Sequence, residues 1–304
     1  MEMARNGTEK EGVSVVMPAY NSERTIARAI ESVFAQNTRD LELIVVDDGS
    51  RDGTRDLIKK YKRRVRYARQ KNQGVSAARN LGIRLSAKKF IAFLDSDDEW
   101  LPGKLSRQFE LFREHPEVGL TATGINCMDE NGRLIRTFQV ERTGSVLDRL
   151  IEGNFIPTSS VVLRKDVLAK TKGPFQKGYS YGEDYLLWIE LSLRCPFWIT
   201  PEVFVNYNEP SHTQFVSKYW KTDVLRLYDK IESMAGARCG PVGIRKLRAK
   251  MHLELADLNR RRGNHREMME ESVKSLGSYP WVSLNQMQVL RNFLYYLSSA
   301  VRRG

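Results

Sequence analysis

The chain is poor in the residues and runs that mark several large classes of protein. It has 3 cysteines in 304 residues, Cys127, Cys195 and Cys239, at unrelated spacings. An odd, scattered set excludes a disulfide framework and a cysteine zinc site, and it fits a reducing compartment. No apolar run approaches the roughly 20 residues of a membrane-spanning helix. The opening stretch MEMARNGTEKEG is polar and has no apolar signal-peptide core, so a cytoplasmic chain is expected. Neither a GxxxxGKS/T loop nor a GxGxxG turn occurs, which excludes a P-loop and a dinucleotide fingerprint.

What is present is ordinary globular composition, 41% hydrophobic and 28% charged. The net charge of +12 is uneven. Residues 218–304 hold 17 Lys+Arg against 8 Asp+Glu, a net +9. A basic C-terminal third suits a negatively charged surface or partner; an ordinary solvated basic surface is the competing reading.

Val13-Ser14-Val15-Val16-Met17-Pro18 is a β-branched apolar run closed by a proline, and predicts a buried strand. Ile26, Ile30, Val33 and Phe34 then recur at helical spacing, with Ser22 as the expected N-cap. Further strands are expected over 41–46, 65–68 and 89–94, with helices between them from Asp52-Gly53-Thr54 and over 74–86. That alternation implies βαβ units: an α/β fold with a Rossmann-like, mostly parallel sheet flanked by helices. Beyond Pro102-Gly103 come a helix to about residue 115 and a hairpin of 118–128 with 134–138. A helix near 145–151, a strand at 159–163, a helix over 183–194 and a last strand near 203–205 complete this part. From about residue 216 the pattern is helical. Leu253, Leu255, Leu258, Gly263, Met268, Met269, Val273 and Pro280 predict one helix-turn-helix of solenoid size.

In an open α/β sheet, ligands bind outside the carboxyl ends of the strands. Asp47 and Asp48 end the second expected strand, and Asp95, Asp97 and Asp98 end the fourth, in FLDSDDEW. A surface turn accounts for Asp47-Asp48-Gly49-Ser50 equally well. The triple carboxylate is harder to accommodate, because like charges this close raise one another's pKa unless a cation joins them. Hard oxygen ligands favour Mg²⁺ or Mn²⁺, ions that take one or two protein carboxylates and fill their shell with phosphate and water. The cluster therefore points to a bound phosphate ester, with a metal that polarises it. Arg79 is a candidate for neutralising phosphate, or else a solvated helical arginine. In Tyr181-Gly182-Glu183-Asp184-Tyr185-Leu186-Leu187-Trp188, two acids open a helix, where the dipole favours negative charge. Phe175, Tyr179 and Tyr181 precede them and Trp188 lies a turn on, so Asp184 is a candidate general base at an aromatic-walled mouth.

VSVVMPAYN, VVDDGS, FLDSDD and GEDYLLW, in that order, resemble the family 2 glycosyltransferases of GT-A fold over about residues 12–210. The resemblance implies that Pro18, Ala19, Tyr20, Asn21 and Asp48 hold the base and ribose of a nucleotide sugar. It makes Asp95, Ser96 and Asp97 the DxD element, with Asp98 beside it, reaching ribose and metal. Asp184 becomes the base of an inverting transfer with Glu183 beside it; Tyr181 and Trp188, of the aromatic mouth read from the residues, are the candidate acceptor contacts. His212 matches a histidine often found near the diphosphate in this family. Processive members carry QxxRW and membrane helices; Gln288-Val289-Leu290-Arg291-Asn292 lacks the tryptophan, so single-sugar transfer is expected. The implied organisation is a flexible 1–11, a catalytic domain 12–215 (a nucleotide-sugar half 12–100 and an acceptor half 101–215) and a basic helical region 216–304. The implied partners are a nucleotide sugar, UDP-linked by preference, and a glycan or polyprenyl-diphosphate acceptor, with Mn²⁺ or Mg²⁺ as cofactor. Trp281, Phe293, Leu294, Tyr295, Tyr296 and Leu297 near Arg291, Arg302 and Arg303 suit either an anionic membrane face or a helical core.

Two other classes compete with this reading. A nucleotidyltransferase calls for a Gly-rich basic loop after the first strand, where this chain has Pro18-Ala19-Tyr20-Asn21. A nucleic-acid-binding protein, raised by a pI of 9.6, would keep binding without Asp97 and Asp98 and lose it steeply with salt. No nucleic-acid partner is expected.

Overall fold

A computed structural model of the chain describes residues 12–171, 173–179, 181–209, 220–280 and 292. The elements begin with β1 (Val13–Ala19), α1 (Ile26–Phe34), β2 (Leu41–Asp47), α2 (Thr54–Lys59), β3 (Val65–Arg69), α3 (Val75–Leu85), β4 (Phe90–Phe93) and β5 (Glu99–Trp100). Next come α4 (Lys104–Glu114), β6 (Leu120–Met128), β7 (Leu134–Phe138), β8 (Arg142–Gly144), α5 (Leu147–Leu150), β9 (Val162–Arg164) and α6 (Lys165–Ala169). The last are α7 (Glu183–Ser192), β10 (Phe197–Asn208), α8 (Trp220–Arg261) and α9 (His265–Ser278).

One mixed sheet runs β3-β2-β1-β4-β9-β6-β10-β5, with β7 beside β6 and β8 beside β10. β1 pairs parallel with β2 and β4, and β2 parallel with β3. Every residue of β1 and β4 is buried, as expected of parallel strands covered on both faces. On α1, Ile26, Ala29, Ile30 and Val33 form the inward stripe. Past β4 the sheet changes character, because β9 is antiparallel to both β4 and β6. The register aligns the strand ends. Ala19 lies opposite Asp47, and Val16 opposite Phe93, so Tyr20, Asp48 and Asp95 emerge along one edge.

Some elements differ from expectation. Ser22 does not cap α1, which starts at Ile26 after Thr25. Its carbonyl instead accepts the Thr25 and Ile26 N–H groups in a preceding turn. β10 is far longer than the expected 203–205, with register shifts where it passes Pro201. β5 and β8 are too short to leave a periodic signal.

The described residues fall into two compact units. The first, within 1–145, 156–177 and 194–212, holds the whole sheet. The second, within 146–155, 178–193 and 213–304, holds α5, α7, α8 and α9. The sequence pattern predicts a single cut near 215; α5 and α7 instead pack with α8. α8 is broken at Gly240, whose φ of 65° precedes Pro241 and suits glycine, while proline starts the next helical stretch. In the helix-turn-helix, Leu253, Leu255 and Met268 are buried as expected, whereas Val273 is 62% exposed. The inner face of α9 is Met268, Glu271, Ser272 and Ser275, tied to α8 by Ser275 Oγ on the Ala249 carbonyl (2.9 Å) and by His252 Nδ1 with Glu271 Oε2 (2.6 Å). No helix among the described residues is long and apolar enough to cross a membrane. His212, Trp281 and the 288–291 and 293–297 segments lie outside the described residues.

Candidate functional site

At the carboxyl edge of β1 and β2, two loops are laced together. Asn21 N–H donates to Ser50 Oγ (3.0 Å), and Arg51 N–H to Asn21 Oδ1 (2.9 Å). The Ser22 N–H reaches Thr54 Oγ1 at 2.7 Å. Asp47 is wholly buried and accepts from Ser50 N–H (2.7 Å), the Tyr67 hydroxyl (2.8 Å) and Arg69 Nε (3.2 Å). Burial pushes its carboxyl up, but these donors outweigh it and leave Asp47 below the ordinary value. Tyr67 is pushed up to about 12, by burial and then by Asp47. Asp48 braces the loop ahead of α3, accepting from Gln70 Nε2 (2.7 Å), Gln73 N–H (2.9 Å) and Gly74 N–H (2.8 Å). Gly49 has φ 82°, and a Cβ there would lie 3.0 Å from the Asn72 backbone nitrogen, so the turn requires glycine. Pro18 and Ala19 are buried strand residues, while Tyr20 stands 46% exposed at the rim. Asp47 and Asp48 are thus buried braces rather than a solvated surface turn.

The FLDSDDEW segment separates its three aspartates by environment. Asp95 takes Arg79 Nη2 on both oxygens, at 2.7 and 2.9 Å. Arg79 comes from α3, is 4% exposed and stacks over Phe175, so its guanidinium is committed to Asp95 rather than open to a ligand. Phe175 itself is buried edge-on to Phe93 in the core of the sheet unit. The Ser96 and Ser22 hydroxyls meet at 2.7 Å, tying this loop to that of β1. Asp98 is enclosed, with the Asn208 N–H on Oδ1 (2.8 Å) and the Ser159 hydroxyl on Oδ2. Burial, then the Asp97 and Asp95 charges, push it well above the ordinary value. Asp97 is half-buried and raised to about 6, by burial and then by Asp95, with partial relief from its own backbone N–H, Arg79 and Arg28. Ser159 carries no sequence signal, yet its hydroxyl also accepts the Asp95 N–H (3.1 Å) and its carbonyl takes Trp100 Nε1 (2.8 Å). No local pattern marks it, because every partner is distant in the chain.

A Mn²⁺ or Mg²⁺ ion fits this donor set in a limited way. Among the described residues no three His, Cys, Asp or Glu side chains converge on one point. Such an ion needs only one or two protein carboxylates when phosphate and water complete its shell. Among the described residues Asp97 carries no ion pair, whereas Asp98 has both oxygens hydrogen-bonded inside the fold.

In the second unit, Gly182 opens α7 with φ 77°, and a Cβ there would lie 2.5 Å from Leu227 Cδ2. Glu183 and Asp184 occupy the first turn, both half-buried. Asp184 Oδ1 accepts the Tyr185 N–H (2.7 Å) and Oδ2 accepts Asn154 Nδ2 (3.2 Å). Tyr181 is 42% exposed, and its hydroxyl donates to Glu254 Oε2 (3.2 Å). Trp188 is fully buried in the core of this unit, which removes it from the acceptor set proposed from the sequence. Asn154 and Glu254 lie about 30 and 70 positions from Asp184 and left no sequence signal.

Known proteins agree with this architecture. The family model described as Glycosyl transferase family 2 matches residues 14–170. An uncharacterized glycosyltransferase of Rickettsia bellii is 33% identical over 195 residues, 63% of this chain and 28% of that protein. The match to the Rickettsia felis relative likewise covers 32% of its length, so the chain spans under a third of either. WfgD of Escherichia coli, named a UDP-Glc:alpha-D-GlcNAc-diphosphoundecaprenol beta-1,3-glucosyltransferase, is 30% identical over 181 residues, 59% of this chain and 69% of WfgD. Among solved structures, S. aureus TarS 1–349 in complex with UDP-GlcNAc superimposes with a TM-score of 0.66 at 18% identity, over 96% of this chain and 92% of that 1–349 chain. At that identity the likeness bears on fold alone.

Proposed function

The chain belongs to glycosyl transferase family 2, and we propose that it moves one sugar from a UDP-linked donor, with inversion, to a hydroxyl of a lipid-linked glycan in surface-polysaccharide synthesis. The observation that carries this reading is the carboxylate edge of the sheet, where Asp95 is paired with Arg79, Asp98 is bonded to Ser159 and the Asn208 backbone, and Asp97 is half-buried and raised to about 6 by burial and then by Asp95. The donor and acceptor classes named for WfgD, and the UDP-GlcNAc bound by TarS, support it.

Each residue has its own share of the work. The braced loops of Asp48 and Asn21 present Tyr20 and backbone groups to the nucleotide. Arg79 holds Asp95 in place for the ribose. Asp97 would hold Mn²⁺ or Mg²⁺, which supplies positive charge to the departing diphosphate. Asp184, oriented by the Asn154 amide and the Tyr185 N–H, accepts the proton of the acceptor hydroxyl. The freed oxygen forms its bond to the anomeric carbon as the bond to the UDP oxygen breaks, and UDP leaves with that electron pair. The net +9 of residues 218–304 favours contact with an anionic membrane surface at which such an acceptor lies.

A thermal-shift titration with UDP, with and without Mn²⁺, tests the donor side. A Mn²⁺-dependent rise in midpoint is expected; no rise with UDP or any other nucleoside diphosphate would sink the reading. Asp184→Asn should keep that rise and lose transfer, and retained turnover would remove Asp184 as the base.

A further inference from the structure

Tyr181 combines two properties that seldom occur together in one side chain. The residue is 42% exposed, yet its hydroxyl is tethered to Glu254 of α8 (3.2 Å). Glu254 is itself only 17% exposed, with Lys250 Nζ 3.8 Å from its other oxygen. The Glu254 charge, then burial, pushes the Tyr181 phenol well above its ordinary value, so it remains a donor at every working pH. Tyr228 adds a second buried phenol beside Glu254, pushed well above its ordinary value by burial and then by the Glu254 charge. Gly182, pressed on Leu227, fixes the backbone between this tyrosine and α7. The Asp184 charge reaches the same phenol, and exposed Asn154 holds Asp184. Gly153, with φ 140°, lets that corner approach Lys250, since a Cβ there would lie 2.9 Å from Lys250 Cε.

We infer that Tyr181, locked by Glu254, is a stacking platform for a pyranose ring of the acceptor glycan, so that helix α8 takes part in acceptor selection. The inference rests on the glycosyl-transfer reading above. A pyranose offers an apolar C–H face and a polar hydroxyl rim. The exposed tyrosine ring meets the first by dispersion, at low conformational cost because its hydroxyl is already anchored. Asn154 and Glu254 meet the second by hydrogen bonds. A platform ordered before binding loses little freedom on binding, which is where its affinity comes from.

The test uses the full chain with Mn²⁺, UDP-glucose or UDP-N-acetylglucosamine as donor, and octyl gluco-, galacto- and N-acetylglucosaminyl pyranosides as acceptor probes. UDP release is read with and without each probe. Tyr181→Ala should raise the acceptor KM about ten-fold or more, while the donor KM and the UDP-induced thermal shift stay within about two-fold of wild type. Tyr181→Trp, which restores a ring, should recover most of the loss. Glu254→Gln, which loosens the anchor and keeps the ring, should cost about two- to five-fold in the acceptor KM alone. An unchanged acceptor KM in Tyr181→Ala, or equal effects on donor and acceptor KM, overturns the inference. So does a wild-type enzyme that shifts with UDP but is stimulated by none of the pyranosides. A wild-type chain with no UDP shift at all would instead refute the transferase reading beneath it.

Discussion

Replacing Ser159 by alanine removes one oxygen, and the structure says what that oxygen holds. It donates to Asp98 Oδ2 and accepts the Asp95 N–H, and both Ser159 and Asp98 are buried, at 0% and 1% exposure. A buried polar group left without its partner costs about 1–3 kcal/mol, and two such groups together cost roughly 2–6 kcal/mol. For a unit of about 150–250 residues that lowers the melting midpoint by roughly 4–24 °C. The loss is not only of stability. Ser159 is the clamp that sets Asp95 and Asp98 relative to each other, and Asp97 lies between them in the chain. Loosening it should raise the donor KM and weaken the Mn²⁺-dependent thermal shift with UDP. Ser159→Cys, nearly the same in shape but a weak donor, should fall between alanine and wild type. The assay is a melt followed by circular dichroism, with and without UDP and Mn²⁺. A midpoint within about 1 °C of wild type, with an unchanged UDP shift, would refute the assignment of Ser159 as a clamp.

Other outcomes rest on the same geometry. Asp97→Asn should abolish the Mn²⁺-dependent part of the UDP shift and leave the metal-free midpoint unchanged or higher, because it removes a half-buried charge held up at about 6. Asp98→Asn should keep most of that shift, since an amide still offers an oxygen to the Asn208 N–H, and Ser159 can turn to accept; the opposite order would exchange the two roles. The pH dependence has a definite sign: a carboxyl raised to about 6 favours the folded state in its protonated form, so metal-free stability from Asp97 is lost as pH rises through that value. Mn²⁺ binds the ionised form and recovers it, so the midpoint gained from Mn²⁺ with UDP should be larger at pH 7.5 than at pH 5; a larger gain at pH 5 would contradict it. Trp188→Ala should cost about 3–5 kcal/mol of stability with no selective change in acceptor KM, measured on whatever fraction folds.

Strand-terminal acids are legible in the sequence because a parallel strand buried on both faces has an unbroken apolar run, and its first charged residue marks the edge where ligands bind. That logic places Asp48 and the FLDSDDEW acids on one edge, and the β1 register with β2 and β4 puts them there. It also suggests an aromatic mouth around Asp184, and there it fails for Phe175 and Trp188. Aromatic residues beside a helix start look alike in one dimension whether they face solvent or core, and these two are core. Tyr181 differs from Trp188 only in a long-range fact, the hydroxyl drawn to Glu254, which no local window contains.

The three aspartates of FLDSDDEW show where local reading must stop. Their spacing predicts crowding, but each resolves it differently: Asp95 with Arg79 of α3, Asp98 with Ser159 and the Asn208 backbone, Asp97 with no such partner among the described residues. The partners of Asp98 lie 61 and 110 residues further along the chain. A carboxylate's role is therefore decided by which neighbour reaches it first. The acid left with the least internal satisfaction is the one whose charge is available to a ligand, and by that criterion Asp97 is the residue whose loss should separate binding from folding.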